Sequence, residues 1–316
     1  MTELVHLNVR PLGELLREIN KSKQMDANEN PWYVLATIYG EHFGSRWDDS
    51  SDIYLQNRRI WNSWACRDMS TKEKRDITIK YGLAADELQP WTEEEEHLVN
   101  SRFLGKSISI PNPRVEIDFS MVVFQHTIVF KGFLFVSHAN FQQSVFNGYA
   151  NFRKAVFFKK SSFNTATFKY FSDFSNVRFI KEASFRHAVF KGSVDFRRAV
   201  FRNGAFFQGG EIIQAARFDN AKFSNSVPNF YNRRFHQDAR FSTNRKDWPI
   251  PSVTNAENGK VYYTRLRSLM SELHKVDDEH FFFRQEMRCK AFLGCWLECL
   301  PVRLYGRISD LVLSDR

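Results

Sequence analysis

One residue type recurs with a period that few folds tolerate. In the middle of the chain, ladder positions fall at Phe119, Phe124, Phe130, Phe135, Phe141, Phe146, Phe152, Phe157, Phe163, Phe168, Phe174, Phe179, Phe185, Phe190, Phe196, Phe201, Phe207, Ile212, Phe218 and Phe223. The gaps alternate between five and six, so the true period is eleven, and nineteen of the twenty slots are Phe. A helix needs apolar residues every three or four positions, which fives and sixes do not supply. The residue two before each Phe is usually small, as in Ala139, Ser144, Ala150, Ala155, Ser161 and Ala166. In the small-x-Phe triplet the two ends share one face and the middle residue points the other way. The middle residue is often Asn, Asp or Ser in one half-unit (Asn140, Asn151, Asp173, Asp195) and often Val or Thr in the other (Val145, Val156, Thr167, Val189). Each unit is therefore a very short strand followed by a polar corner. It cannot bury its own Phe, whereas stacked coils can. An antiparallel sandwich of short strands is the main alternative, but it does not require one residue every eleven positions.

The stretch resembles the pentapeptide repeat family, whose consensus is a small residue, a polar residue, a central Leu or Phe and two polar residues. ANFQQ-SVFNG and ASFRH-AVFKG match it position by position. The resemblance implies a mainly β fold, a right-handed quadrilateral β-helix. Helical capping regions are expected at both ends, because solenoid ends expose apolar coil edges. A coil here should hold about 22 residues, giving about five coils and a rod about 24 Å tall.

The flanks differ in composition. Residues 1–106 read as a helical, Trp-rich N-terminal domain, 107–225 as the solenoid, and 226–316 as a linker plus a C-terminal helical region. Asn30-Pro31 and the capping-box pattern Ser70-Thr-Lys-Glu73 read as helix starts, and so does the run Glu93–Glu96. Trp248-Pro-Ile-Pro251 marks a break, and one long helix is expected from about Lys260 to Leu293. NPWYVLATIYGE and NRRIWNSWA resemble a segment that precedes the repeats in some bacterial members. RLRSLMSELHKVDDEHFFFRQEMR resembles one that follows them in proteobacterial members, where a hydrophobic membrane segment comes next in longer relatives.

Chemistry-bearing motifs are sparse. No GxSxG, Walker A loop, GxGxxG after a strand or HExxH occurs, and no catalytic, cofactor or metal site is expected. His274 and Asp278 would share a helix face, but without a third strong ligand; Cys295 and Cys299 would share one too. The four cysteines form no CxxC pair, the first twenty residues lack a signal-peptide pattern, and no 18-residue apolar run occurs. The expected location is cytoplasmic; the short amphipathic ending LPVRLYGRISDLVLSDR is expected to pack on the solenoid as a helix, with contact to the inner-membrane surface as the alternative.

Charge carries the functional expectation. The chain is +9 overall, and residues 119–223 hold 15 Lys+Arg against 5 Asp+Glu, a net of +10. Some family members act on DNA gyrase by presenting an acidic, DNA-like rod, and a rod of this charge does not imitate DNA. With 22 residues per coil, Arg153 lines up with Arg197 two coils above, Lys154 with Arg198, Lys159 with Lys181, and Lys169 with Lys191. These are the candidate anion-binding residues. The sequence points to a non-catalytic scaffold or protein-interaction module with an unknown protein partner. The alternative is a binder of nucleic acid or an anionic membrane surface through these basic columns. Homodimerisation, end to end as in some relatives, stays open.

Overall fold

A computed structural model describes residues 24–41, 52–84 and 86–294. The first twenty-three residues, Trp47, Cys295, Cys299 and the LPVRLYGRISDLVLSDR ending lie outside the described residues.

The expected solenoid is present. Two- and three-residue strands pair in parallel with their counterparts one coil away, forming four walls. In chain order, wall one runs through Ile117, Ala139, Ser161, Ala183 and Ala205. Wall two runs through Val123, Val145, Thr167, Val189 and Glu211. Wall three runs through Ile128, Ala150, Ser172, Val194 and Ala216. Wall four runs through Leu134, Val156, Arg178, Val200 and Lys222. Each step is 22 residues.

The core is four vertical files of phenyl rings. Phe141–Phe163–Phe185, Phe146–Phe168–Phe190, Phe152–Phe174 and Phe135–Phe157 stack with centroids 4.4–4.8 Å apart and planes within 3–5°. That spacing is the distance between hydrogen-bonded strands, so backbone pairing and ring stacking share one repeat. Rings of wall one meet those of wall three edge to face, at 5.4–5.6 Å and 84–90° from Phe141–Phe152 up to Phe207–Phe218. Both geometries suit the ring quadrupole.

The corner chemistry explains the two half-units. After walls one and three the chain makes a four-residue turn, as where Ala155 N–H donates to Phe152 O at 3.0 Å. The third turn residue has positive φ, as at Gln143, Lys154, Thr165, Asn176, His187 and Arg198. The Asn or Asp before the ladder Phe braces this turn. Asn151 Oδ1 accepts from Arg153 N–H at 3.0 Å, Asp173 Oδ1 from Ser175 N–H at 2.7 Å, and Asp195 Oδ1 from Arg197 N–H at 2.8 Å. Such Asx bonds favour Asn and Asp there.

The solenoid is taller than expected, at about six turns. Beyond residue 225 one inserted residue lengthens the step to 23, so Asn229 pairs with Phe206, Arg234 with Glu211 and Arg240 with Arg217. Phe230 then stacks on Phe207 at 4.9 Å and Phe241 on Phe218 at 5.1 Å. The boundary at 225 therefore falls inside the repeat stack.

Arg233 stands in this last coil where lower coils place a small residue, and it is 1% exposed. Below it Gly210 has φ +66°, and a Cβ there would meet Ala188 O at 2.3 Å. The guanidinium donates to Phe207 O at 2.5 Å, Ala188 O at 2.9 Å and Phe185 O at 2.5 Å. Burial pushes its pKa down to about 9, which leaves it protonated at neutral pH.

The helical ends seal both edges. We label the helices α1 (Pro31–Ala36), α2 (Asp52–Ala65), α3 (Thr71–Tyr81), α4 (Glu93–Gly105), α5 (Ala256–Glu272) and α6 (Val276–Phe292). The three helix starts read from the sequence are present. Asn30 caps α1, and Ser70–Glu73 and Thr92–Glu95 form capping boxes on α3 and α4. Trp61 stacks under Phe119 and donates its indole N–H to Leu134 O at 2.9 Å. Asn62 imitates a strand, donating to Gly132 O and accepting from Leu134 N–H. Met25–Asp26 pairs with Val122–Val123 as an added strand. The N-terminal domain also reaches beyond the end: Ile77, Tyr81 and Leu83 pack on Val156, Phe158 and Ile180 of wall four. At the other end Trp248 lies over Phe223 at 5.1 Å and meets Phe282 edge to face.

The single long C-terminal helix is corrected to a hairpin. His274, with φ +56°, breaks the run, and α5 and α6 pack antiparallel as neighbours. Folding back lets Leu266 and Met270 on one helix and Phe281 and Phe282 on the other share one core. His274 and Asp278 thus do not share a helix face.

Two tests follow from this packing. Phe174→Ala or Phe185→Ala should cost about 3–5 kcal/mol, against about 0.5 kcal/mol or less for exposed Lys191→Ala; similar denaturation midpoints for all three would contradict the ladder. Arg233→Met takes the side-chain donor from the buried carbonyls of Phe207 and Ala188, at about 1–3 kcal/mol each, while Phe185 O keeps the Ala188 N–H, so its midpoint should fall well below that of exposed Arg234→Met.

Candidate functional site

Outward positions on wall three carry the densest cluster of charge. Strand pairing puts Asn151, Asp173, Asp195, Arg217 and Arg240 in one vertical column. Two residues further along each strand stand Arg153, Ser175, Arg197 and Asp219 in a second column, and the turn residues Lys154, Asn176, Arg198 and Asn220 form a third. Together they shape a polar depression of about 490 Å³. Five arginines line it (Arg153, Arg197, Arg198, Arg217, Arg240), facing Asp173 and Asp219. A third carboxylate, Asp195, lies beneath and is held by Arg197 at 2.6 Å, its side chain 4% exposed. This pair raises the Arg197 pKa through the hydrogen bond to Asp195. Burial is the main cause that raises the pKa of Asp173, and the charge of Asp195 one coil away adds to it, against the lowering effects of the Ser175 hydrogen bonds and Arg153.

The candidate cations thus do not form one basic wall. Arg153, Arg197 and Arg198 meet in the wall-three depression. Lys154 is exposed at the turn below it. Lys169 and Lys191 are exposed, one coil apart, at the corner after wall two. Lys159 and Lys181 are exposed at the corner leaving wall four. There Lys181 lines a second depression, of about 470 Å³, with Lys160, Glu182, Asn203 and Tyr262, and Lys160 is paired to Glu182 at 2.9 Å. Sequence reasoning missed Arg217 and Arg240. Arg217 was legible, 22 residues after Asp195, whereas the inserted residue hides Arg240 from a strict 22-residue count.

Other groups are arranged for structure. Burial pushes the Cys66 thiol up to about 12 and the Cys289 thiol up to about 11. Buried Glu87 binds Arg58 and Asn62, and buried Glu286 binds Arg267 and Lys290. Among the described residues no three His, Cys, Asp or Glu side chains converge in metal-binding fashion, and no helix is long and apolar enough to cross a membrane.

A family model described as pentapeptide repeats (9 copies) matches residues 141–189 and 185–228. The solenoid belongs to the pentapeptide repeat family. The matched segments cover most of the part of the stack in which the 22-residue step is unbroken, a part that begins one coil earlier, at Ile117. No curated protein and no solved structure matches the chain. The pentapeptide repeat accounts for the walls and their turns, and the arginine depression is an addition made at the outward positions.

Asp173→Asn keeps the turn-bracing oxygen, as Asn151 does one coil below, and removes the like charge beside Asp195. It should stabilise the protein by about 0.2–1 kcal/mol at neutral pH. The folded-state pKa of Asp173 lies above its unfolded value, so the cost of its charge is absent when the group is protonated and full above the folded pKa. The gap between variant and parent should therefore close as pH falls below about 4, as read from paired thermal melts; a gap independent of pH would contradict this.

Proposed function

We propose that this chain is a non-catalytic interaction module in which the repeat stack is a rigid spacer. Its outer walls and helical ends are the contact surfaces. One observation carries the reading: outward side chains sit in fixed register on a ring-stacked core, so the surface holds its pattern without moving parts. The repeated geometry serves the core and the turns, which leaves the outward positions free for recognition. Cross-linking of the full chain to a bound protein should give contacts clustered on one wall or one end. Contacts spread evenly over all faces would count against a specific module.

A second reading is favoured by the exposed pairs Lys169–Lys191 and Lys159–Lys181, each one coil apart. These support contact with a polyanion, either nucleic acid or an anionic membrane surface. The full chain should then retard duplex DNA, or sediment with anionic vesicles, in a way that weakens as salt rises. Lys169→Glu with Lys191→Glu should abolish the effect. Absence of binding at low salt removes this reading and leaves the first intact.

A further inference from the structure

Wall three treats its charges differently in its middle and at its top. In the middle the arginine is neutralised within the wall, Arg197 against Asp195. At the top, Arg217 and Arg240 are direct register partners on adjacent strands, which places their backbones about 4.8 Å apart. Both are exposed, as is Arg198, and none of the three makes an ion pair among the described residues. Like charges directly opposite each other weaken a sheet. The fold holds them there all the same, at the mouth of a depression whose other lining is Arg153, Arg197, Asn and Ser with two aspartates.

The surplus is also quantitative. Five arginines share the site with Asp173, Asp219 and the underlying Asp195. Two positive charges are left over, the charge of one phosphoryl dianion. Guanidinium groups present planar forks of N–H donors that match phosphate oxygens two at a time. The Asn220 amide beside them offers a neutral donor from the same rim.

We propose that the top of wall three is a phosphoryl-anion site, with Arg217 and Arg240 as the clamp and Arg198 at its flank. The proposal rests on the outer walls being recognition surfaces, and it can fail alone, since a protein contact elsewhere on the rod would be unaffected. The phosphoryl group is either that of a free monoester or that of a lipid headgroup, and the test separates them.

Phenyl phosphate titrated calorimetrically into the full chain at low salt is the first arm; co-sedimentation with vesicles containing phosphatidic acid is the second. Saturable binding of phenyl phosphate assigns a free monoester, and binding to the vesicles alone assigns a headgroup. In either case Arg217→Gln with Arg240→Gln should weaken binding at least about tenfold, the loss of one or more charge-assisted hydrogen bonds. The melting midpoint should hold, and Arg202→Gln, exposed on wall four, should bind as the parent does. Should the double arginine variant not fold, Arg198→Gln provides the same reading with a smaller loss. Binding in neither arm, or equal binding by the arginine variants and the parent, overturns the proposal.

Discussion

Parallel stacking of phenyl rings at the inter-strand distance is the constraint on which the rest of this molecule depends. A strand pair sets a repeat of about 4.8 Å, and rings 4.4–4.8 Å apart fill that repeat without a gap. A residue added inside a strand would slide the rings out of file; the one inserted residue of the last coil falls between Phe223 and Asn229, outside the paired strands, and Phe230 and Phe241 still stack on the rings below. The period of 22 is therefore enforced twice, by hydrogen bonds and by packing. The residue two positions before the Phe points into the same narrow interior, which is why it is usually small.

An open stack of parallel strands has two exposed edges, and this chain closes each with a different device. Below, indole and amide side chains act as substitute backbone, with Trp61 and Asn62 bonding directly to the first coil. Above, Trp248 takes the position of a further ladder ring and carries the helical hairpin. Lys275 donates its ammonium to Ala239 O, adding a cationic tie from the hairpin to the last coil. The N-terminal domain also covers the lower part of wall four, where the outward residues Val156, Phe158 and Ile180 are apolar. Arg178 joins them there over the Tyr81 ring, and higher on the wall exposed Arg202 and Lys222 take the outward positions.

The solenoid was legible because its signal is redundant: nineteen phenylalanines report the same period. The helix starts at Asn30 and Ser70 were legible because capping depends on local chemistry alone, and the one at Glu93–Glu96 because negative charge suits a helix N-terminus. The last coil was less so. Phe230, Phe235 and Phe241 keep the gaps of five and six, but one inserted residue puts them out of phase with the rest. The C-terminal hairpin was hidden because its reversal at His274 has neither Gly nor Pro to mark it. For the site, the sequence placed Arg153, Arg197 and Arg198 together. Their neutralising partners are set by which side chains lean across the wall, and a one-dimensional spacing does not report that.

Repeat stacks normally communicate only between adjacent layers, which lets them fray one layer at a time from an end. Arg233 breaks that rule. Its guanidinium joins the last coil to carbonyls of the coil below it, at Phe207, and of the one beneath that, at Ala188 and Phe185. Three layers are thereby tied through a single dehydrated cation, which cannot release one of them without stranding its charge among the others. The upper end of the rod should behave as one cooperative block, opening together or not at all.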